Sequence, residues 1–139
     1  MAAKIPFEVP VIAFKTIDGD TLDLLLDLGF GVRYQVHGRV QGIDAPEKNT
    51  VAGGLVLQIT SRWAVQGQSS LRWRSVQLDK YGRSLGELIY GGTREPLSDY
   101  LLNAGLAKAY SGEGKRTWDA NELALVEEKA RKILGQGTA

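Results

Sequence analysis

Carboxylates and guanidinium groups occur beside turn signals at several places in this chain. Asp20 lies in Ile-Asp-Gly-Asp-Thr at residues 17–21, and Asp44 lies in Gly-Ile-Asp-Ala-Pro-Glu at residues 42–47. Two carboxylates from separate strand ends can converge on one hard divalent cation as oxygen ligands. The carbonyl of Ala45, whose backbone is restrained by the proline that follows, can supply a third ligand. These residues therefore indicate a metal site.

Three further side chains supply what phosphodiester hydrolysis requires besides a metal. Glu47 can orient or deprotonate a water molecule, although alone it would be interpreted as an exposed loop carboxylate. Arg39 and Arg83 are permanently charged, planar donors that can brace a phosphorane-like transition state. A single strand arginine is usually only solvated, so the pair carries the argument. Arg83 follows a Tyr-Gly turn that places it at a hairpin end, beside Lys80 and Tyr81.

Composition permits this chemistry without arguing for it. The 139 residues are 43% apolar, which predicts one domain with a single core. The net charge of +1 gives no global attraction to nucleic acid, and the absence of cysteine excludes disulfides and thiolate zinc sites. Neither a signal peptide nor a long apolar run is present. We therefore expect a soluble protein without membrane contact, cytoplasmic or a mature secreted form.

The first part of the chain is predicted to form three strands. Residues 9–17 are apolar and β-branched, and the Asp-Gly pair that follows predicts a tight turn before residues 21–26. Residues 32–41 alternate apolar and polar types, which predicts a strand with Arg39 on its polar face.

The segment at residues 55–66 is ambiguous, because strand alternation and helical spacing both occur in it. We interpret it as a helix, bracketed by Gly53-Gly54 and Gly67. Leu71–Leu78 and Ser84–Tyr90 are predicted strands. A short helix is predicted at residues 97–104, and a last helix is predicted after Asp119 as its N-cap, with Glu122 three residues on. Five strands and three helices in this order are compatible with a small Greek-key barrel of the OB type.

Other conspicuous residues have a simpler structural interpretation. His37, the single histidine, is expected to be a solvated strand residue. Trp63 and Trp73 are expected in the core, and Trp118 is expected to pack the last helix. Five basic residues could form a rim for nucleic acid, but a charged face is ordinarily just solvated. They are Lys15, Arg62, Arg72, Arg74 and Lys108.

Four motifs, taken in order, resemble the staphylococcal nuclease family. Besides the motif at residues 17–21, they are Arg-Val-Gln-Gly-Ile-Asp-Ala-Pro-Glu at 39–47, Asp-Lys-Tyr-Gly-Arg at 79–83 and Leu-Asn-Ala-Gly-Leu-Ala at 102–107. The resemblance spans about residues 9–134, and the combination is far more specific than any single motif. It implies an α+β fold, a five-stranded OB-type Greek-key β-barrel with three α-helices, as a single domain over residues 1–139.

The resemblance also implies a role for each matching site residue. The implied calcium ligands are Asp20, Asp44 and the carbonyl of Ala45. The implied catalytic residues are Arg39 and Arg83 as phosphate clamps and Glu47 as the residue that activates or orients water. The implied substrate-binding residues are Lys80 and Tyr81 at a terminal phosphate and Tyr110 against a nucleotide base.

Three departures from the family pattern affect substrate range more than chemistry. Ala45 replaces a threonine, which a ligand acting through its backbone carbonyl tolerates. The loop at residues 48–54 is short, and the charge is nearly neutral, so affinity for long polymers is expected to be lower.

These observations predict a Ca²⁺-dependent nuclease that cleaves the P–O5′ bond of DNA, RNA or both, leaves 3′-phosphates and acts as a monomer without an obligate protein partner. The alternative is a non-catalytic OB-fold module that binds single-stranded nucleic acid. A peptide or protein binder is a third interpretation, and it would need more of an aromatic cage than Tyr81 and Tyr110.

Overall fold

The computed structural model describes residues 7–90, 95–111 and 117–135. The elements in these residues, in chain order, are β1 (Phe7–Asp18), β2 (Thr21–Gly29), β3 (Val32–Val40), β4 (Ile43–Asp44), α1 (Val51–Gln66), β5 (Leu71–Leu78), β6 (Ser84–Tyr90), α2 (Leu97–Asn103), β7 (Lys108–Ala109) and α3 (Ala120–Ile133). A short 3₁₀ turn, Gln68–Ser70, connects α1 to β5.

The five long strands close into a barrel in the order β1-β2-β3-β6-β5. Neighbouring strands run antiparallel except β3 and β6, which pair in parallel between Gly38–Val40 and the start of β6. This is the α+β barrel with three helices that the motifs predicted, so the predicted fold class is confirmed. That the chain is one domain stays a prediction.

Side chains that alternate along the strands fill the barrel interior. Trp73 of β5 is completely buried, and its indole nitrogen donates a hydrogen bond of 2.9 Å to Ser84 Oγ. Space for this ring exists because β3 and β6 carry glycines beside it. A Cβ on Gly38 would lie 3.1 Å from the Trp73 ring, and one on Gly86 would lie 2.9 Å from it. The parallel closure of the barrel therefore depends on the large side chain of Trp73 and on the small size of Gly38 and Gly86.

Strand β3 does not follow the predicted division into faces. Val32 and Tyr34 are more than half exposed, whereas Arg39 is only 4% exposed, so the expectation of Arg39 on a polar face is wrong. β3 pairs with β2 along its length but with β6 only at its end. The first half of β3 thus extends beyond the barrel with both faces in solvent, and the second half enters the barrel wall. His37 is exposed, as expected.

Helix α1 begins four residues before the predicted start at Leu55. Thr50 is its N-cap, and the Thr50 hydroxyl accepts a hydrogen bond from Gly53 N at 2.9 Å. Gly53 and Gly54 lie inside the first turn, whereas the sequence pattern places them before the helix, so it does not identify Thr50 as the cap. The helix packs its buried face, which includes Trp63, against β1 and α3.

The later helices agree with the prediction. α2 ends before Gly105, whose φ of 73° suits the left-handed position after a helix. α3 begins at a complete capping box, in which Asp119 accepts from Glu122 N and Glu122 accepts from Asp119 N. Among the described residues, no helix is long and apolar enough to span a membrane.

Two short strands were not predicted. β4 and β7 form a two-residue antiparallel pair in which Ile43 faces Ala109 and Asp44 faces Lys108. A hydrogen bond of 2.9 Å from Tyr110 N to Gly42 O extends this pairing. A two-residue strand has no periodicity to detect, yet this pair places Asp44 beside the segment that leads to α3.

We predict that Trp63→Ala will lower the free energy of unfolding by about 3 to 5 kcal/mol. Trp63 is 3% exposed and packs edge to face against Tyr90, whose hydroxyl donates to the Trp63 carbonyl. Leu125→Ala on the exposed face of α3, where Leu125 is 55% exposed, is the control and should change stability by less than about 0.5 kcal/mol. Chemical denaturation of both variants measures the difference, and equal stabilities would contradict the core position of Trp63.

Candidate active site

The turn between β1 and β2 is held firmly against helix α1. The Thr60 hydroxyl donates a hydrogen bond of 2.8 Å to the Gly19 carbonyl. A Cβ on Gly19 would lie 2.5 Å from Val56 Cγ1, so a side chain there would push the turn off the helix. Asp18 accepts from Lys48 N at 2.8 Å, which ties the same turn to the loop after β4. These contacts place Asp20 between the barrel and that loop.

Asp20 is completely buried and joins the two predicted metal-ligand segments. Its Oδ2 accepts a hydrogen bond of 2.8 Å from Ala45 N, and its Oδ1 accepts one of 3.0 Å from the Thr21 hydroxyl. The structure therefore brings Asp20 and Ala45 into direct contact through the Ala45 backbone N–H, and their role as metal ligands stays a prediction.

Arg39 lies between the two predicted aspartate ligands. Its NH1 atom is 3.4 Å from Asp20 Oδ2, and its NH2 atom is 4.0 Å from Asp44 Oδ1. NH1 also donates to the Val40 carbonyl at 2.7 Å. All three ionic side chains are at most 5% exposed, so water compensates little of their charge. A buried ion group of this kind requires each member, because removing one leaves an uncompensated charge.

Asp44 has a partner that the sequence did not reveal. The indole nitrogen of Trp118, just before α3, donates a hydrogen bond of 2.9 Å to Asp44 Oδ2. We expected Trp118 only to pack the last helix, because 74 residues separate it from Asp44 and no local pattern links them. The contact follows from the β4–β7 pairing, which leads the chain back to Asp44 before α3 starts.

Glu47 is exposed on the loop after β4. It lines a cavity of about 230 Å³ together with Asp44, Ala45, Thr50, Trp118 and Leu123. Its backbone carbonyl accepts from the Thr50 hydroxyl at 2.7 Å and from Thr50 N at 3.0 Å, so the start of α1 holds it. Asp44 is the residue that contacts Arg39 and also lines the Glu47 cavity.

The other predicted phosphate and nucleotide residues share a groove of about 1320 Å³ with Arg39. It is lined among others by Lys80, Tyr81, Arg83 and Tyr110. Lys80 Nζ lies 5.3 Å and the Arg83 guanidinium 5.5 Å from the centre of the Tyr81 ring, and Tyr81 itself is 72% exposed. A cluster of two cations over an exposed ring is suited to a phosphate and an adjoining base.

Arg83 is positioned by Asp79 at the base of the β5–β6 turn. Its Nε donates to Asp79 Oδ2 at 2.7 Å, and its backbone N–H donates to Asp79 Oδ1 at 2.9 Å. Burial alone would raise the pKa of Asp79, but the hydrogen bonds from Arg83 and from Tyr81 N outweigh burial and lower it. Asp79 therefore stays ionised and holds the guanidinium at the groove.

The groove also contains an acidic end that the motifs did not indicate. Glu87 of β6 accepts a hydrogen bond of 2.6 Å from Ser98 at the start of α2. Burial, with the nearby negative charge of Asp99, raises the pKa of Glu87 above the ordinary value, although the Ser98 bond opposes this. The groove thus has a cationic end at Arg83 and a half-buried carboxyl at Glu87.

The three candidate oxygen ligands suit a calcium ion chemically, but they are fewer than calcium requires. Asp20, Asp44 and the Ala45 carbonyl are oxygen donors, which a hard cation prefers, and the first two are buried together. Calcium takes six to eight oxygens, so about half would come from water and substrate phosphate. Within the described residues no three histidine, cysteine or carboxylate side chains gather as a metal cluster.

Three of the five basic residues considered as a rim, Arg72, Arg74 and Lys108, form ion pairs with acidic side chains. Arg72 and Arg74 both pair with Glu8. Lys108 donates to Glu122 Oε2 at 2.9 Å and to the Thr117 carbonyl at 2.6 Å. Lys108 is therefore tied to the start of α3 although its side chain is 38% exposed, and a count of basic residues does not reveal this.

The chain thus combines an OB-type barrel and two buried aspartates with a groove that carries cationic side chains. The family model of staphylococcal nuclease homologues matches residues 38–134. The chain is also 32% identical over 131 residues to Protein ParB of Escherichia coli, which covers 87% of this chain and 68% of that protein. This chain belongs to the staphylococcal nuclease homologue family.

Gly53 and Gly54 provide a matched pair that tests how α1 supports the site. A Cβ on Gly53 would lie 1.7 Å from the Glu47 carbonyl oxygen, whereas one on Gly54 would meet only Lys48 O at 3.7 Å. Gly53→Ala should destabilise the fold by about 1 to 3 kcal/mol because backbone must move. Gly54→Ala should stabilise it by about 0.5 to 1 kcal/mol, since alanine favours a helix. Thermal melts compare the two, and equal melting temperatures would contradict this packing.

Proposed function

We propose that this protein is a Ca²⁺-dependent nuclease that hydrolyses the P–O5′ bond of DNA, RNA or both and leaves 3′-phosphate ends. The observation that carries the proposal is the buried group of Arg39, Asp20 and Asp44, in which Arg39 also lines the groove of Arg83 and Tyr81. Family membership supports nuclease chemistry at the level of the class.

The proposed reaction is an in-line hydrolysis. Water forms a new bond to phosphorus, the P–O5′ bond breaks, and the departing 5′ oxygen gains a proton. Arg39 and Arg83 are the proposed donors to the phosphoryl oxygens, where negative charge grows as the new bond forms. Rigid donors aimed at that charge stabilise the transition state more than the substrate. Their placement by buried aspartates and by Asp79 supports this role.

Asp20, Asp44 and the Ala45 carbonyl are the residues proposed to hold calcium. When bound, the cation would supply Lewis-acid polarisation of the phosphate. The two carboxylates already lie beside a positive guanidinium, so their oxygens are ordered for a cation before one arrives.

Glu47 is the proposed acceptor of the proton from the attacking water. It is exposed and lines a cavity next to Asp44, so water can reach it without opening the barrel. The short connection to α1 and the two hydrogen bonds from Thr50 restrict its backbone. Those restraints support a base held at one place rather than on a mobile loop.

The nucleotide is proposed to lie in the groove with a terminal phosphate at Lys80 and Tyr81 and a base against Tyr110. These residues line the groove with Arg39 and Arg83. The net charge of +1 adds little long-range attraction, so binding should depend on these local contacts. Action as a monomer without a protein partner stays a prediction.

The alternative is a non-catalytic module that binds single-stranded nucleic acid through the same groove. The exposed Tyr81 ring is a suitable stacking platform for it. Two buried aspartates next to the groove argue against it, because negative charge near a phosphate weakens binding unless a cation or a reaction uses it.

Replacing either arginine by lysine tests the proposed clamps. Arg39→Lys and Arg83→Lys keep the charge and lose the planar fork, so single-turnover cleavage should slow by about 10² to 10³. Arg62→Lys, at an exposed position of α1, is the control and should cleave at the wild-type rate. Melts of each variant exclude unfolding. Folded Arg39 and Arg83 variants with wild-type rates would favour the binding module.

Metal dependence is tested on labelled single-stranded DNA, duplex DNA and RNA. Cleavage should require Ca²⁺ and be poorly supported by Mg²⁺, because carboxylate and carbonyl ligands on loops suit a larger, more flexible coordination sphere. End analysis should find 3′-phosphates. Full activity in chelator would contradict the metal site, and equal rates with both ions would contradict the choice of calcium.

A further inference from the structure

We propose that Trp118 is a positioning residue for Asp44 and that it couples the start of helix α3 to the metal affinity of the site. The inference rests on the proposed function, because it concerns the same metal ligand. It concerns a residue outside the four motifs, and it adds a link between the site and the C-terminal helix.

The contact itself is specific. Trp118 has one donor, its indole N–H, and this donor is spent on Asp44 Oδ2 at 2.9 Å. The other oxygen, Oδ1, lies on the side of Arg39, 4.0 Å from NH2. Holding one oxygen of a carboxylate fixes the orientation of the other. Trp118 therefore determines which way Asp44 presents Oδ1 to a cation beside Asp20.

The indole is in turn contacted over its ring by a lysine. Lys108 Nζ lies 4.4 Å from the centre of the Trp118 ring, a cation–π distance. Lys108 reaches this place because it faces Asp44 in the β4–β7 pair and donates to Glu122. Glu122 belongs to the capping box that starts α3. A continuous set of contacts thus runs from the first turn of α3 to Asp44.

The same ring also forms a wall of the cavity that contains Glu47. One side chain therefore contacts a proposed metal ligand and bounds the space of the proposed base. Partners that orient metal ligands typically change metal affinity by about 10- to 100-fold when they are removed. Because coupling between sites is reciprocal, metal binding should also stabilise the start of α3.

Trp118→Phe tests the proposal by removing the N–H and keeping most of the ring. Calcium titration by calorimetry should give a Kd about 10-fold or more above the wild-type value. Cleavage by the variant should be slow at limiting Ca²⁺ and recover toward the wild-type rate at excess Ca²⁺. A merely structural role would lower the melting temperature without this shift in calcium dependence. Leu125→Ala, also on α3 but exposed, is the control and should keep the wild-type Kd.

Lys108→Met is the second variant and keeps the indole N–H while removing the cation that braces the ring. It should raise the calcium Kd by a smaller factor than Trp118→Phe does. If Trp118→Phe melts below the assay temperature, Lys108→Met becomes the test variant. An unchanged calcium Kd of Lys108→Met would then overturn the proposal. A folded Trp118→Phe with the wild-type Kd overturns it directly. A wild-type protein that takes up no calcium would overturn the proposed metal site and this inference with it.

Discussion

The burial of Arg39 between Asp20 and Asp44 is the interaction on which the rest of the site depends. Two carboxylates at 0% and 3% exposure repel each other strongly unless a positive charge lies between them. The guanidinium supplies that charge in this structure, within 3.4 Å of one and 4.0 Å of the other. Under the proposed function, Asp20 and Asp44 would hold a cation and Arg39 would pair with a phosphate, so that no net charge would be left uncompensated.

The fold is built so that these charges meet. The parallel closure of β3 onto β6 buries the end of β3, and Arg39 with it, next to the space that Gly38 and Gly86 leave for Trp73. On the other side, α1 is pressed against the turn that carries Asp20 and against the backbone of Glu47. The packing of the core therefore determines the geometry of the site, since moving α1 would displace both the turn that carries Asp20 and the loop that carries Glu47.

Sequence patterns predicted most of the helices and strands. They failed for side chains whose burial or partners depend on contacts between distant segments. The Asp-Gly turn and the N-cap Asp119 with Glu122 three residues on are local signals, and they correctly predicted the hairpin and the last helix. The burial of Arg39 depends on β3 gaining a second neighbour only at its end, which alternation cannot express. The Trp118 contact with Asp44 and the commitment of Lys108 to Glu122 depend on a two-residue strand pair with no sequence signature. The roles of the motif residues remain predictions, although the contacts among Asp20, Ala45 and Arg39 support them.

A crystal structure with Ca²⁺ and a nucleoside 3′,5′-bisphosphate would test the central claim most directly. The cation should lie between Asp20 and Asp44 with the Ala45 carbonyl as a ligand, and Arg39 should have turned from the aspartates to a phosphate that Arg83 also contacts. The base should lie in the groove near Tyr110. A cation bound elsewhere, or a phosphate outside the groove while Arg39 still bridges both aspartates, would contradict it.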